Sequence, residues 1–398
     1  MKLLEYKQFN DSVDEKKSLN KKKVAIAIAI VATIIIFAIL GIVYTANPQF
    51  RNFMDAYVLF KNVDEKDLPY ISIDTDKSIY TTAYYNYIAV LENNKLTLYN
   101  SSGKQVQSFD VNINSPIFAV QDNYLVVAEK NQQRFYLIKD KKLLWEKSIE
   151  GDISRVNISE NGYVSVIVSG TSYKSVITTY SEDGQEVFKT FLSNTVATDV
   201  DISADNKFLS FCEMDLSGSL IESKVKTIAV DKAKQDPANA IIYTYEIPAN
   251  ALVTNLEYHE RDGLICLCDE GIYVLKNGHI DVLEDLSKAN ISFIGINLGK
   301  SYFKLSEDKF GINNQNSNIE IHNTTNKNSC SYTIPGIAKA VCGKGDVIAV
   351  NLGSEAYFLN ENGWLIKKYS SSQEIRDIVI SNNVAGIIYR NKIVFLSF

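Results

Sequence analysis

The chain has 398 residues, of which 46% are hydrophobic and 22% charged, so it is long enough for one large or two ordinary domains with a buried core. That balance excludes a mostly disordered chain. Residues 1–23 contain seven lysines and four acidic residues, which leaves a net charge of −9 on the rest of the chain. Nucleic acid is bound by clustered Lys and Arg, so the composition also disfavours a nucleic-acid-binding protein.

An uncharged apolar run from Val24 to Ala46 is the first element of the chain. As a helix it would be about 34 Å long, enough to cross a hydrocarbon core of about 30 Å. A cleaved signal peptide has a shorter apolar region and small residues at its cleavage site, whereas this run ends in Tyr44-Thr45-Ala46. We therefore predict an uncleaved transmembrane helix over residues 24–46.

Lysines flank the apolar run mainly on its N-terminal side. They are Lys16, Lys17, Lys21, Lys22 and Lys23, and the next 20 or so residues after the run hold only three basic residues among several acids. The positive-inside rule then places residues 1–23 in the cytoplasm as a basic tail and residues 47–398 outside. The residues that carry this assignment of a single-pass cell-membrane anchor are Lys21, Lys22, Lys23, Val24, Tyr44 and Ala46.

Residues 47–69 are predicted to form a juxtamembrane helical stalk. Asn47 can cap a helix with Pro48 at its first position. Aromatic and apolar residues then recur at helical spacing, at Phe50, Phe53, Met54, Tyr57 and Phe60. A helix that dimerises or lies on the membrane is the alternative.

From residue 70 onward, short alternating strands replace the helical pattern, and a two-part unit repeats. The first part is a hairpin with Asn, Asp or Gly at its turn, and it occurs eight times, with turns near residues 86, 123, 162, 206, 263, 299, 345 and 382. The second part is another hairpin and occurs seven times, for example LTLYNSSGKQVQSF (96–109) and AYFLNENGWLIKKY (356–369). Four strands per unit at a spacing of about 37 to 57 residues are typical of a β-propeller.

The unequal numbers of first and second hairpins predict how the ring closes. NKIVFLSF (391–398) can supply the third strand of the last unit, and YISIDT (70–75) is an unassigned strand before the first. Pairing these two strands completes an eighth blade and removes an exposed sheet edge. The sequence therefore predicts an all-β propeller domain over residues 70–398 with eight four-stranded blades, and a seven-bladed ring is the alternative.

The architecture resembles the WD40 and quinoprotein-like propellers. FYLIKDKKLLWEKS (135–148) is similar to one quinoprotein-type repeat through Leu137, Lys142 and Trp145, but the tryptophan girdle of quinone dehydrogenases and the Trp-Asp dipeptides of WD40 repeats are missing. The basic tail, uncleaved anchor and external ring together resemble a family of uncharacterised, N-terminally anchored propellers of Gram-positive bacteria, a domain of unknown function. This resemblance supplies no site residues.

The sequence predicts no catalytic residue, metal ligand or cofactor. The five cysteines form no C-x-x-C pair, and Cys266 and Cys268 lie two apart, on one face of a strand, as small core residues would. The three histidines are far apart in the sequence, and no nucleophile elbow, zincin motif or phosphate loop is present.

A ligand face is predicted from charged residues beside the first strands and from two long loops. In a propeller, the loops between blades and those between second and third strands lie at the same face. Residues 213–224 and 306–318 form the long second-to-third loops, and long loops on a rigid scaffold often bind partners. The possible ligand residues are Asp152, Arg155, Asp199, Arg376, Asp215, Glu222, Asp308 and Asn314. For the charged residues, the alternative to ligand binding is that they pair with one another or contact channel water. For the two long loops, the alternative is a tolerated insertion.

Two functions follow from these features. The first is a membrane-anchored, extracytoplasmic binding or scaffold module of the cell envelope, whose partner is an envelope protein or a cell-wall polymer. The second is a propeller enzyme, either a hydrolase or a quinoprotein-like dehydrogenase, with an unrecognised site. The missing catalytic residues favour the first.

Overall fold

The computed structural model describes residues 21–47, 50–51, 54–248, 251–259, 263–287, 290–308 and 315–398. Contacts divide the chain into two units, residues 1–60 and residues 61–398. Residues 1–20 of the predicted cytoplasmic tail lie outside the described residues.

Helix α1 (Lys21–Ala46) contains all six residues of the predicted anchor. Its segment Ala25–Ala46 has a mean hydropathy of 3.2, and none of this segment is buried inside the protein. The helix is long and apolar enough to cross a membrane, a property that it shares with signal sequences near an N-terminus.

The described residues directly after α1 include helical turns. The Asn47 Oδ1 accepts a hydrogen bond from the Phe50 backbone N–H at 3.0 Å, as a helix N-cap does. A π-helical turn follows at Met54–Val58, while Pro48 and Phe53 of the predicted stalk lie outside the described residues. From residue 62 onward the chain no longer forms a stalk, because it adds a strand to the ring.

Eight sheets form the ring, as the hairpin count predicts. Blades 1 to 6 are four-stranded antiparallel meanders in chain order. The strands of blades 1 to 3 are β3 (Ile79–Tyr84), β4 (Tyr87–Glu92), β5 (Lys95–Tyr99), β6 (Gln105–Asp110), β7 (Pro116–Gln121), β8 (Tyr124–Glu129), β9 (Arg134–Lys139), β10 (Lys142–Ser148), β11 (Asp152–Ile158), β12 (Val164–Ser169), β13 (Ser175–Tyr180) and β14 (Glu186–Leu192).

The next three blades follow the same plan. Their strands are β15 (Val196–Ile202), β16 (Phe208–Asp215), β17 (Glu222–Ala229), β18 (Ile241–Glu246), β19 (Val253–Tyr258), β20 (Leu264–Cys268), β21 (Gly271–Lys276), β22 (His279–Asp285), β23 (Phe293–Leu298), β24 (Ser301–Asp308), β25 (Asn316–Asn323) and β26 (Ser329–Pro335).

Blades 7 and 8 both contain strands from the start of the ring domain. Blade 7 has β27 (Ala340–Lys344), β28 (Val347–Asn351), β29 (Glu355–Asn360) and β30 (Leu365–Ser370), and blade 8 has β31 (Asp377–Ile380), β32 (Val384–Ile388) and β33 (Lys392–Ser397). Strand β2 (Tyr70–Ser72) pairs antiparallel with β33, which confirms the predicted closure of the ring. Strand β1 (Asn62–Asp64) runs parallel to β30 as a fifth strand of blade 7, an addition that the sequence pattern did not reveal.

The hydrophobic core lies between the blades. Within the described residues, each of the eight hydrophobic clusters joins two neighbouring blades, and together they cover all eight interfaces. Second strands such as β8 are buried along their whole length, whereas outer strands such as β10 are largely exposed. Both faces of each blade carry apolar side chains that would be exposed to water if the blade stood alone. Each blade is therefore stabilised mainly by contact with its two neighbours.

The long loops are shorter than predicted, because the strands beside them extend further. Strands β16 and β17 run to Asp215 and from Glu222, so the loop between them is residues 216–221. Strands β24 and β25 likewise run to Asp308 and from Asn316, and residues 309–314 lie outside the described part of the chain.

The interface between blades 8 and 1 generates a test of closure. Phe395 of β33 is fully buried there, and its ring lies 6.1 Å from the Tyr99 ring of blade 1. We expect Phe395→Ala to lower the free energy of unfolding of the ring by about 3 to 5 kcal/mol, since it opens a cavity at the seam. Urea denaturation of the full chain in detergent micelles measures this loss.

Ser397→Ala is the matched control, because Ser397 is exposed on the same strand. It should change stability by less than about 0.5 kcal/mol. Equal effects of the two substitutions would show that the seam does not contribute specifically to ring stability.

Candidate functional site

The inner strands of the ring surround a central cavity of about 660 Å³, to which all eight blades contribute lining residues. It extends from the middle of these strands to the turns between first and second strands. Residues at those turns, including Tyr85, Asp122, Glu160 and Asn382, form its rim. The predicted loops lie at the opposite end, where the second-to-third loops and the connections between blades are found.

Two predicted residues meet on the wall of this cavity. The Arg155 Nε of blade 3 lies 2.8 Å from the Asp199 Oδ1 of blade 4. The Asp199 Oδ2 accepts the backbone N–H of Leu256 in blade 5 at 2.8 Å. Arg155 and Asp199 therefore pair with each other. Together with the hydrogen bond to Leu256, this pair links the inner strands of blades 3, 4 and 5.

A second set of contacts repeats this arrangement two residues further along each strand. The Asn157 Nδ2 donates to the Asp201 Oδ1 at 2.9 Å, and the Asp201 Oδ2 accepts the backbone N–H of Tyr258 at 2.7 Å. Alternate residues of a strand point the same way, so the two sets of contacts form a polar ladder across blades 3, 4 and 5. Burial raises the pKa of Asp201 to about 7, despite these hydrogen bonds, and it also raises the pKa of Asp199.

Two further ionisable groups line the cavity without an ion pair. Burial raises the pKa of Glu257 to about 8, and the neighbouring Asp201 carboxylate contributes to that rise. Burial lowers the pKa of Lys344 to about 8, and the Lys344 Nζ donates to the Val120 backbone oxygen at 3.2 Å. Among the described residues, neither group has a counterion at salt-bridge distance, although the charges of the two influence each other.

Both polar and apolar side chains line the cavity, and blades 3 to 5 also contribute apolar residues such as Val156 and Leu256. Polar side chains come from blades 3 to 7, at Asn157, Asp201, Glu257, Asn297 and Lys344. Blades 1 and 2 contribute an apolar wall, defined here as Ala83, Ile117, Phe118, Ala119 and Val120. The cavity is therefore amphipathic.

The remaining predicted ligand residues do not line this cavity. Asp152 and Arg376 lie at the start of inner strands, at the end away from the rim. Asp215 and Glu222 are paired positions at the base of the blade 4 hairpin, and Asp308 is exposed at the end of β24. Asn314 lies outside the described residues. The structure thus brings Arg155 and Asp199 together and leaves the other described residues dispersed over the opposite end of the ring.

Sequence reasoning missed the roles of Asn157, Glu257 and Lys344. Each of these polar residues lies near the C-terminal end of a predicted inner strand, where a buried position would favour an apolar residue. This departure from the apolar pattern was the available signal for a polar site. The pattern recurs in several blades, but only the ring geometry shows that these positions face one cavity.

Histidine, cysteine and acidic side chains are the potential metal ligands of the described residues. No group of three or more His, Cys, Asp or Glu among them is placed to hold a metal ion. Cys266 and Cys268 are buried free thiols with sulfur atoms 3.7 Å apart in the core between blades 4 and 5, where they pack as small apolar residues.

Comparison with known proteins identifies a family and a fold. Residues 65–397 match a family of unknown function, DUF5711. No curated protein matches the chain closely enough to count as a relative.

Solved propellers are similar to the chain in structure. The C-terminal WD40 domain of Sif2 has a TM-score of 0.55 and 12% identity, over 83% of this chain and 99% of that chain. Sqt1 of Chaetomium thermophilum, solved bound to the N-terminus of ribosomal protein L10, has a TM-score of 0.51 and 11% identity with the same coverage. The dihydro-heme d1 dehydrogenase NirN, solved in complex with DHE, has a TM-score of 0.53 and 9% identity, over 83% and 73%. At these identities the likeness shows the fold alone.

The buried Glu257 carboxyl generates a test by pH. Its pKa is raised in the folded state, so the folded chain keeps a proton that the unfolded chain loses, and the free energy of unfolding should fall as pH rises from about 4.5 to about 8. Glu257→Gln removes this loss and should stabilise the ring at pH 8 by at least about 1.4 kcal/mol, the equivalent of one pKa unit, with little effect at pH 4. Denaturation measured across this pH range gives both values.

Glu160→Gln changes the same chemical group at an exposed position of the rim and serves as the control. A pH dependence that is the same in wild type and Glu257→Gln would contradict the assignment.

Proposed function

We propose that the chain, which belongs to the family of unknown function DUF5711, is a membrane-anchored, extracytoplasmic binding module of the cell envelope. Helix α1 tethers the ring to the membrane, and the ring binds an envelope protein. The observation that carries this proposal is an apolar helix with no buried surface joined to a rigid, closed propeller.

The lysines at the N-terminal end of α1 support its orientation. Lys21, Lys22 and Lys23 precede the apolar segment, and the segment that follows has fewer basic residues and several acids. Positively charged flanks are retained in the cytoplasm, so this asymmetry favours an external ring.

Exposed apolar side chains support a protein-binding face at the end of the ring with the second-to-third loops. Leu216 and Leu220 at the tip of the blade 4 hairpin are 55% and 58% exposed. Tyr173 and Phe191 of neighbouring blade 3 lie at the same end and pack on each other with ring centroids 4.7 Å apart, and both are exposed. Apolar groups gathered on adjacent blades are typical of protein interaction surfaces.

Cysteine labelling tests the orientation. Ser397→Cys introduces an exposed thiol in the ring, and Ser12→Cys introduces one in the tail. A membrane-impermeant maleimide applied to intact cells should label the first variant, and should label the second only after the membrane is permeabilised. Labelling of Ser12→Cys in intact cells, or loss of the tail from the mature protein, would contradict the anchor and its orientation.

Substitution of the hairpin tip tests the binding face. Proteins crosslinked to the tagged full chain in intact cells are purified in detergent and quantified by mass spectrometry. We expect the double substitution of Leu216→Ser and Leu220→Ser to reduce recovery of a bound protein at least tenfold, because apolar contacts at an interface centre account for much of its affinity. Val282→Ser is the control, since Val282 is 65% exposed but lies on the outer strand of blade 5.

If both variants recover the same proteins as wild type, the partner binds elsewhere. Recovery of cell-wall polymer in place of a protein would reassign the partner class.

A further inference from the structure

The central cavity contains two ionisable groups of opposite sign that have no counterion at salt-bridge distance among the described residues. The carboxylate of Glu257 forms neither a hydrogen bond nor an ion pair with a described residue. The ammonium of Lys344 donates one hydrogen bond, to the Val120 backbone oxygen, and has two further N–H groups. Both side chains are half-buried in the cavity wall, where a charge is less well solvated than in bulk water, so a ligand that supplies the missing contacts would stabilise their charged forms.

The other charged side chains on the polar wall have partners. Arg155 is bound to Asp199 and also donates to the Asn255 Oδ1 at 3.2 Å. Each oxygen of Asp201 accepts one hydrogen bond. Below the exposed rim, which also carries Asp122, Glu160 and Lys300, two charged groups of the described residues therefore lack a counterion, the Glu257 carboxylate and the Lys344 ammonium.

The size and the apolar wall of the cavity restrict the ligand further. A volume of about 660 Å³ lies within the range of small-molecule sites, about 300 to 1,000 Å³. Phe118 and Val120 on the apolar wall offer contact to an aliphatic group. A simple ion could form an ion pair with only one of Glu257 and Lys344, and a neutral sugar could form an ion pair with neither.

We infer that the central cavity binds a small zwitterion with an aliphatic part, such as a free amino acid or a short peptide with free termini. The ligand ammonium donates to the Glu257 carboxylate, its carboxylate accepts from the Lys344 ammonium, and its aliphatic part contacts the apolar wall. This inference concerns the ring alone, so it can fail while the proposed anchor and protein-binding face hold, and the reverse is also true.

Burial is consistent with this arrangement. It favours the uncharged form of both groups, with the pKa of Glu257 raised and that of Lys344 lowered. A bound zwitterion places an opposite charge beside each, which restores the charged forms.

Four matched probes test the inference on the full-length protein in detergent micelles. Leucine carries both charges, leucinamide only the ammonium, N-acetylleucine only the carboxylate, and N-acetylleucinamide neither. Saturation-transfer NMR and calorimetry should show that leucine binds at least tenfold more tightly than N-acetylleucinamide, with the two singly charged probes between them. No binding of leucine at millimolar concentration, or equal binding of all four probes, overturns the inference without any variant.

Variants then assign each contact. Glu257→Gln should reduce the affinity for leucine to that for N-acetylleucine, and Lys344→Met should reduce it to that for leucinamide. Asp215→Asn, on the hairpin at the other end of the ring, is the control and should leave binding unchanged. Loss of leucine binding in the control, or its retention in both cavity variants, overturns the placement of the ligand.

Discussion

The stacking of blades is the constraint on which the rest of this structure depends. Each sheet has two apolar faces, and the core residues lie at the interfaces between sheets. Both faces of every sheet are covered only if the ring closes, and the closing interface has a cluster of six buried residues, which include Ile88 and Phe395. Strands β1 and β2 strengthen this region by pairing with blades 7 and 8. The chain thus reinforces the part of the ring where its two ends meet.

The central cavity creates a second constraint, because the backbone N–H groups of the inner strands that face it need hydrogen-bond acceptors. The polar ladder supplies some of these acceptors. An inner strand is the edge of its sheet, and the backbone N–H groups along that edge have no strand partner. Asp199 and Asp201 accept the N–H groups of Leu256 and Tyr258 on the edge of blade 5. These carboxylates therefore accept backbone hydrogen bonds, as the carbonyl groups of a neighbouring strand do within a sheet. This role explains why two acidic residues lie on an inner strand of the ring.

The sequence allowed the fold to be predicted almost completely, and the site only in part. Strand alternation and turn residues are local signals, so the number of blades and the pairing of residues 70–75 with 391–398 could be inferred by counting. The strand Asn62–Asp64 gave no such signal, because three residues are too few to show a strand alternation and their parallel partner β30 is distant in the sequence. Glu257 and Lys344 lie on blades 5 and 7, and their proximity depends on the curvature of the ring, which no local pattern encodes.

The shared eighth blade also fixes the order in which the ring can be completed. Strand β2 is synthesised before every other strand of its sheet, and its partner β33 comes only after the other seven blades. During synthesis or export, β2 must remain without its partner while some 320 residues follow, and closing a loop of that length has an entropic cost that grows slowly with its length. Blades 1 to 6 can form and stack as they emerge, whereas the seam forms last. A chain that lacks its last strands would therefore be an open stack of blades with two exposed apolar end faces. Such an intermediate is prone to aggregate until β33 pairs with β2 and closes the ring.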